Sequence, residues 1–124
     1  MRQTKVYNKT RGTVIAEVCP IAESVRDRTV GLLGSDHLDD GHGLLIRRSP
    51  SIHMFFMRFG LDVIFVNRDL RATKCVENLK PWRAVLWAPG AVDCIELPVG
   101  AIARSRTVPG DQLELGDAVE LPGA

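Results

Sequence analysis

Thiols are few in this chain and poorly placed for chemistry. Among its 124 residues only Cys19, Cys75 and Cys94 carry one, far apart and never as Cys-x-x-Cys. That spacing supplies no zinc ribbon, no dithiol redox pair and no disulfide framework. Each cysteine has Val or Ile beside it, where a free thiol acts as a small buried apolar side chain, and a reducing, cytoplasmic setting is expected. Long apolar runs are missing too. Nothing approaches the ~18 residues of a membrane span, and residues 1–10 are charged with no apolar stretch behind them, so the chain is expected to be neither membrane-spanning nor exported. Charge of one sign is also lacking: 16 Lys and Arg against 15 Asp and Glu leave +1, which provides no field for nucleic acid or an anionic bilayer. Gly-x-Ser-x-Gly, the phosphate loop and the dinucleotide fingerprint are absent, so the common catalytic signatures do not apply.

What remains is ordinary globular material, 45% hydrophobic and 25% charged. A chain of this length forms one domain, residues 1–124, and buries about two-thirds of its unfolded surface. Turn signals recur every ten residues or so, which favours short strands. Residues 4–8 and 13–19 read as a hairpin joined across Lys9-Thr10-Arg11-Gly12, after which Pro20 breaks the pattern. Apolar residues at Ile21, Val25 and Leu32, with Ala22, Thr29 and Leu33 beside them, then follow a helical period that Gly34 ends. Further strands are predicted at 44–46, twice within the Phe-rich segment, at 62–67 and 70–78 around Arg68-Asp69, at 92–97, and around the turns Pro109-Gly110-Asp111 and Leu115-Gly116-Asp117. The resulting fold class is α+β: a single compact domain, mostly an antiparallel, strongly curved β-sheet or partial barrel, with one principal helix near the N-terminus.

The densest information lies in residues 51–66, Ser-Ile-His-Met-Phe-Phe-Met-Arg-Phe-Gly-Leu-Asp-Val-Ile-Phe-Val. All four Phe and two of the three Met fall there, so the segment is expected in the core. That core is predicted from Phe55, Phe56, Phe59, Phe65, Leu32, Ile64, Ile95 and Leu97. Only His53, Arg58 and Asp62 are ionisable within the segment, and burial obliges each to find a partner or a ligand. On a strand His53, Phe55 and Met57 share one face while Met54, Phe56 and Arg58 share the other. Arg58 and Asp62, separated by a bend at Gly60, are expected to pair with each other or with the backbone there. Glu96 interrupts the apolar run 94–97, where alternation lets it face either solvent or the site strand; if it faces inward it partners Arg58 or His53. Trp82 and Trp87 bracket a Pro-flanked loop and can stack on a planar ligand or cap the core. Two His and three Asp crowd residues 36–42, but the order fits neither a calcium loop nor a zinc site, so a solvated loop without metal is expected.

Taken in order, 30–34 (Val-Gly-Leu-Leu-Gly), 43–46 (Gly-Leu-Leu-Ile), the motif 53–66, 80–83 (Lys-Pro-Trp-Arg), 95–100 (Ile-Glu-Leu-Pro-Val-Gly) and 109–111 (Pro-Gly-Asp) resemble the uncharacterised prokaryotic family called domain of unknown function 192. The resemblance spans nearly the whole chain and departs at Gly60, where such motifs commonly carry proline. It implies a small stand-alone α+β domain of bacteria and archaea, mostly β, with no established activity or cofactor. The expected function is a non-catalytic binding module, monomeric and without cofactor. It would hold a small anionic ligand or a protein partner against Arg58, His53, Asp62, Glu96 and Trp82. The alternative is a small hydrolase in which His53 is the general base, oriented by Asp62 or Glu96.

Overall fold

The computed structural model describes residues 1–30, 32, 34–55, 57–85 and 88–120, with the side chains of residues 25, 29 and 30 left out. Phe56, Leu33 and Trp87, which the sequence reading assigned to core, helix and loop, lie outside the described residues. Strands β1 (Arg2–Asn8) and β2 (Thr13–Ala22) form the expected N-terminal hairpin. Pro20 does not end β2. It pairs with Gln3, in register with the Thr4–Cys19 pair, and the strand runs on to Ala22. The helix is correspondingly short: α1 covers Val25–Val30 only, begun by Ser24, whose Oγ accepts from the Asp27 amide at 3.0 Å.

Strand β3 (Leu44–Ile46) returns parallel to β2 and pairs antiparallel with β8 (Asp93–Leu97). Beyond β8 come β5 (Leu61–Val66) and β6 (Ala72–Leu79), the second expected hairpin. The short strands β9 (Leu113–Leu115) and β10 (Val119–Glu120) pair with the free side of β1. The sheet order is thus β10-β1-β2-β3-β8-β5-β6, with β9 beside β1. Its two far sides are stitched together. Arg71 and Gln112 form a bridge, and Gly110 and Leu113 donate to Ala72 and Leu70 carbonyls at 2.8 Å. The sheet is therefore mostly strand, curled as a half-barrel with two small helices among the described residues.

Asp111 secures that seam. Its carboxylate takes a bidentate grip from Arg11 at 3.0 and 3.2 Å and accepts from the Asn8 amide and the Val108 backbone at 3.0 Å. Burial pushes the Asp111 carboxyl up, but these donors outweigh it and hold the group below its ordinary value.

Every residue of β3, β5 and β8 is buried, because both faces of the central sheet are covered. Inside the curl, Val6, Ile15, Leu45, Ile64, Ile95 and Leu97 pack with Ile102 of α2 (Ala101–Ser105). On the outer face, Leu44, Val63, Phe65 and Cys94 lie under Met54, Met57 and Ala88 from the connecting segments. Of the predicted core, Phe65, Ile64, Ile95 and Leu97 are fully buried and Leu32 and Phe59 partly so, whereas Phe55 is 43% exposed.

Candidate functional site

The Phe-rich segment does not make two full strands. After Ile46 the chain forms the two-residue strand β4 (Ile52–His53), which pairs with β7 (Ala84–Val85) as a separate ribbon over the outer face. Two backbone bonds continue the pairing: the Met54 amide donates to the Arg83 carbonyl at 2.7 Å, and the Trp82 amide donates to the Met54 carbonyl at 2.8 Å. Alternation then decides what each side chain does. Met54 is fully buried, while its neighbours His53 and Phe55 face solvent. Met57 turns back inward because its amide bonds to the Met54 carbonyl at 3.2 Å and closes a turn.

The outward side chains stack. The His53 and Phe55 rings are 5.0 Å apart at 27°, and Phe55 and Trp82 are 6.1 Å apart at 30°. Trp82 is 60% exposed and sits at φ 67°, a left-handed conformation that is an outlier for a bulky residue. His53 Nδ1 accepts from the Phe55 amide at 3.4 Å, which orients the imidazole.

The other expected site residues do not join this group. Arg58 and Asp62 are not paired with each other. Arg58 reaches Asp36 at 2.6 Å across the surface, with side chains 63% and 76% exposed, so the loop 36–42 anchors the arginine. Asp62 is fully buried inside the curl and accepts from the backbone amides of Asn78 (2.9 Å), Gly100 (3.1 Å) and Ile102 (3.0 Å). It thereby caps α2 from a distant strand, since Gly100 at φ 101° has no side chain to do so. Local sequence distance misled the pairing expectation. Gly60 bends the chain against β6, where a Cβ would lie 2.9 Å from Asn78 Oδ1, and the bend sends the two side chains to opposite sides of the sheet.

Glu96 pairs across the sheet with Val63 and Leu44 and shares the outer face with Cys94. It is 4% exposed and has no side-chain hydrogen bond among the described residues. Burial pushes its carboxyl up to about 7. Neither Asp62 nor Glu96 meets His53, which has no carboxylate within 4.0 Å among the described residues. A base held by either acid is therefore not assembled, because the acids lie on buried strands and the histidine on the exposed ribbon. Burial likewise pushes Cys19 and Cys94 up to about 12 and half-buried Cys75 to about 11, so all three stay as neutral thiols. Among the described residues no three metal-ligating side chains converge. Within the loop 36–42, His37 Nε2 meets Asp39 at 3.1 Å, both well exposed.

Comparison with known proteins agrees with the overall fold. Residues 6–115 match DUF192, described as an uncharacterised family. The chain belongs to the DUF192 family. A UPF0127 protein of Thermococcus sibiricus is 32% identical over 113 residues, covering 88% of this chain and 73% of that protein. Another, from Thermococcus kodakarensis, is 30% identical over 112 residues, covering 86% and 69%. Among solved structures, a Novosphingobium aromaticivorans protein of unknown function superposes with a TM-score of 0.74 at 24% identity, covering 90% of this chain and 83% of that one. A Sinorhizobium meliloti protein, assigned provisionally to transcription regulation, gives 0.80 at 21% identity, covering 93% and 94%. At these identities the two structures establish the fold alone. No helix among the described residues is long and apolar enough to cross a membrane.

Proposed function

We propose that this DUF192 domain is a non-catalytic binding module that holds a small anionic ligand with a flat face. The rings of His53, Phe55 and Trp82 offer the face, and Arg58, from the same motif, would leave its exposed pair with Asp36 to supply charge. One observation carries this reading: three stacked rings are left in water on a ribbon whose Trp82 backbone is strained at φ 67°. Single exposed apolar residues need no explanation, but leaving ring area unburied forgoes about 25 cal/mol per Å². A left-handed non-glycine residue costs a further 1–3 kcal/mol or so, a cost that concentrates at binding sites. Arg83, next to Trp82, is exposed and has no side-chain partner among the described residues, so a second guanidinium stands close by in the chain. Asp62 and Glu96 support the site only as parts of the sheet beneath it.

The test is a thermal-shift screen of anionic metabolites, followed by titration calorimetry on the wild type and on Trp82→Ala and Arg58→Ala. The expected result is a ligand whose affinity falls at least tenfold in each variant. A screen without hits, or hits that both variants bind as tightly as the wild type, would remove the small-ligand reading and leave the ring surface to a protein partner. The hydrolase alternative would need His53 to act without a carboxylate to orient it, and no observation favours it.

A further inference from the structure

The central strands end together at one edge of the sheet. Strands β3 and β5 both run antiparallel to β8, so the residues that follow β3 and β5 meet the residues that open β8. Strand β2, parallel to β3, delivers its own end to the same edge. These four ends bring Arg47 and Arg48, Arg68, Val92 with Asp93, and Glu23 around a cleft of about 320 Å³. Nothing in the sequence joins these residues, which are scattered between Glu23 and Asp93.

The cleft is built on a buried carboxylate. Asp93, 6% exposed, accepts from the Arg47 guanidinium at 3.0 Å through one oxygen and from the Arg48 backbone amide at 2.8 Å through the other. The second bond holds Arg48 at φ 51°, a strained conformation that persists only where the surroundings over-determine it. Glu23 is neutralised from outside by Arg2 at 2.9 Å. With Arg47 matched to Asp93 and Arg2 matched to Glu23, two guanidiniums remain: Arg48 and Arg68 are exposed and have no side-chain partner among the described residues. Two unmatched planar cations, from different strand ends, line one concave wall. Arginine forks match phosphate oxygens bidentately, and the uncompensated charge of the wall fits a dianion.

We propose that this cleft is an anion site, separate from the ring surface, that takes the phosphate or diphosphate group of a small molecule between Arg48 and Arg68. Arg47 is the fixed member, pinned by Asp93, and the two free arginines close on the ligand.

Isothermal titration of the full chain with inorganic phosphate, pyrophosphate and adenosine diphosphate, each at matched ionic strength, tests the site. Saturable one-to-one binding is expected, with pyrophosphate tighter than phosphate. Affinity should fall at least tenfold in Arg48→Gln/Arg68→Gln and stay unchanged in Lys9→Gln, an exposed cation on the β1–β2 turn outside the cleft. Adenosine diphosphate binding more tightly than pyrophosphate would point to a nucleoside-borne group; equal affinity would point to the free anion. Both arginines are exposed, so the Gln variants should keep the wild-type urea midpoint. The single reversal Arg68→Glu, which should abolish binding, gives an independent reading. Binding that does not saturate, or that survives the double variant, overturns the proposal. Binding lost in Trp82→Ala but kept in the double variant would assign the anion to the ring surface instead.

Discussion

Glu96 offers the sharpest quantitative test of this structure, because a single carboxyl sits in an apolar layer between Leu44 and Val63 with no hydrogen bond to hold it among the described residues. Burial raises it from the reference 4.5 to about 7. The native state therefore keeps a proton that the unfolded chain gives up above its ordinary carboxyl range. Stability from this group is complete below the unfolded value and is lost as pH climbs through the folded one. A shift of this size is equivalent to about 3 kcal/mol at 1.36 kcal/mol per pH unit, most of it falling between pH 5 and 8. The perturbation is Glu96→Gln, which keeps shape and polarity but cannot ionise. Urea unfolding of wild type and variant at pH 5, 6, 7 and 8 gives the difference directly, and subtraction cancels every other titrating group. The variant should gain on the wild type by about 2 to 3 kcal/mol across that range, with the wild type losing ground as pH rises. Asp111 cannot mimic the effect, since its carboxyl is held low and its contribution is lost on the acid side. A difference that changes by less than about 1 kcal/mol would show that Glu96 is solvated or paired, and would refute the upward shift that its burial imposes.

Two more outcomes follow from the same geometry. Asp62→Ala orphans three backbone amides and should cost about 3 to 5 kcal/mol, whereas Arg58→Ala breaks an exposed pair worth less than about 1 kcal/mol. A double-mutant cycle between them should give coupling under about 0.5 kcal/mol, and a larger value would mean the two side chains meet after all. Iodoacetamide at pH 8 should leave Cys19 and Cys94 unmodified in the native protein and label them once urea unfolds it. Half-buried Cys75 should react first, and rapid native labelling of the other two would contradict their burial.

Hydrophobic alternation and turn residues made the two hairpins, β3, β8 and the curled sheet legible in the sequence, because each rests on local chemistry. The failures are equally local in cause. Pro20 looked like a strand end, yet it keeps its place in the ladder opposite Gln3 and β2 continues to Ala22. The helix looked longer because Ile21 and Ala22 fit its period, although both are the buried end of β2. Phe55 looked like core by composition, but the alternation that puts His53 and Phe55 on one face carried the signal of an exposed pair. The capping of α2 by Asp62, 38 residues before Gly100, depends on tertiary approach alone and leaves no trace in spacing.

The buried sheet restricts where function can lie. In β3, β5 and β8 every residue is buried, so the acids they carry are held in place: Asp62 by three amides, Asp93 by Arg47 and the Arg48 backbone, and Glu96 between Leu44 and Val63. Chemistry that reaches solvent must come from what these strands position at their ends and on their cover. Both places hold a left-handed non-glycine residue, Trp82 in the ring stack and Arg48 at the arginine cleft, a conformation also found at Leu70, Asn78 and Arg106. Strain of about 1–3 kcal/mol at each position persists only because a buried group fixes it, the Met54 carbonyl in one case and the Asp93 carboxylate in the other. The sheet thus acts as a rigid frame that holds two presented surfaces, one aromatic and one cationic. Separate variants at Trp82 and at Arg48 with Arg68 can test them independently.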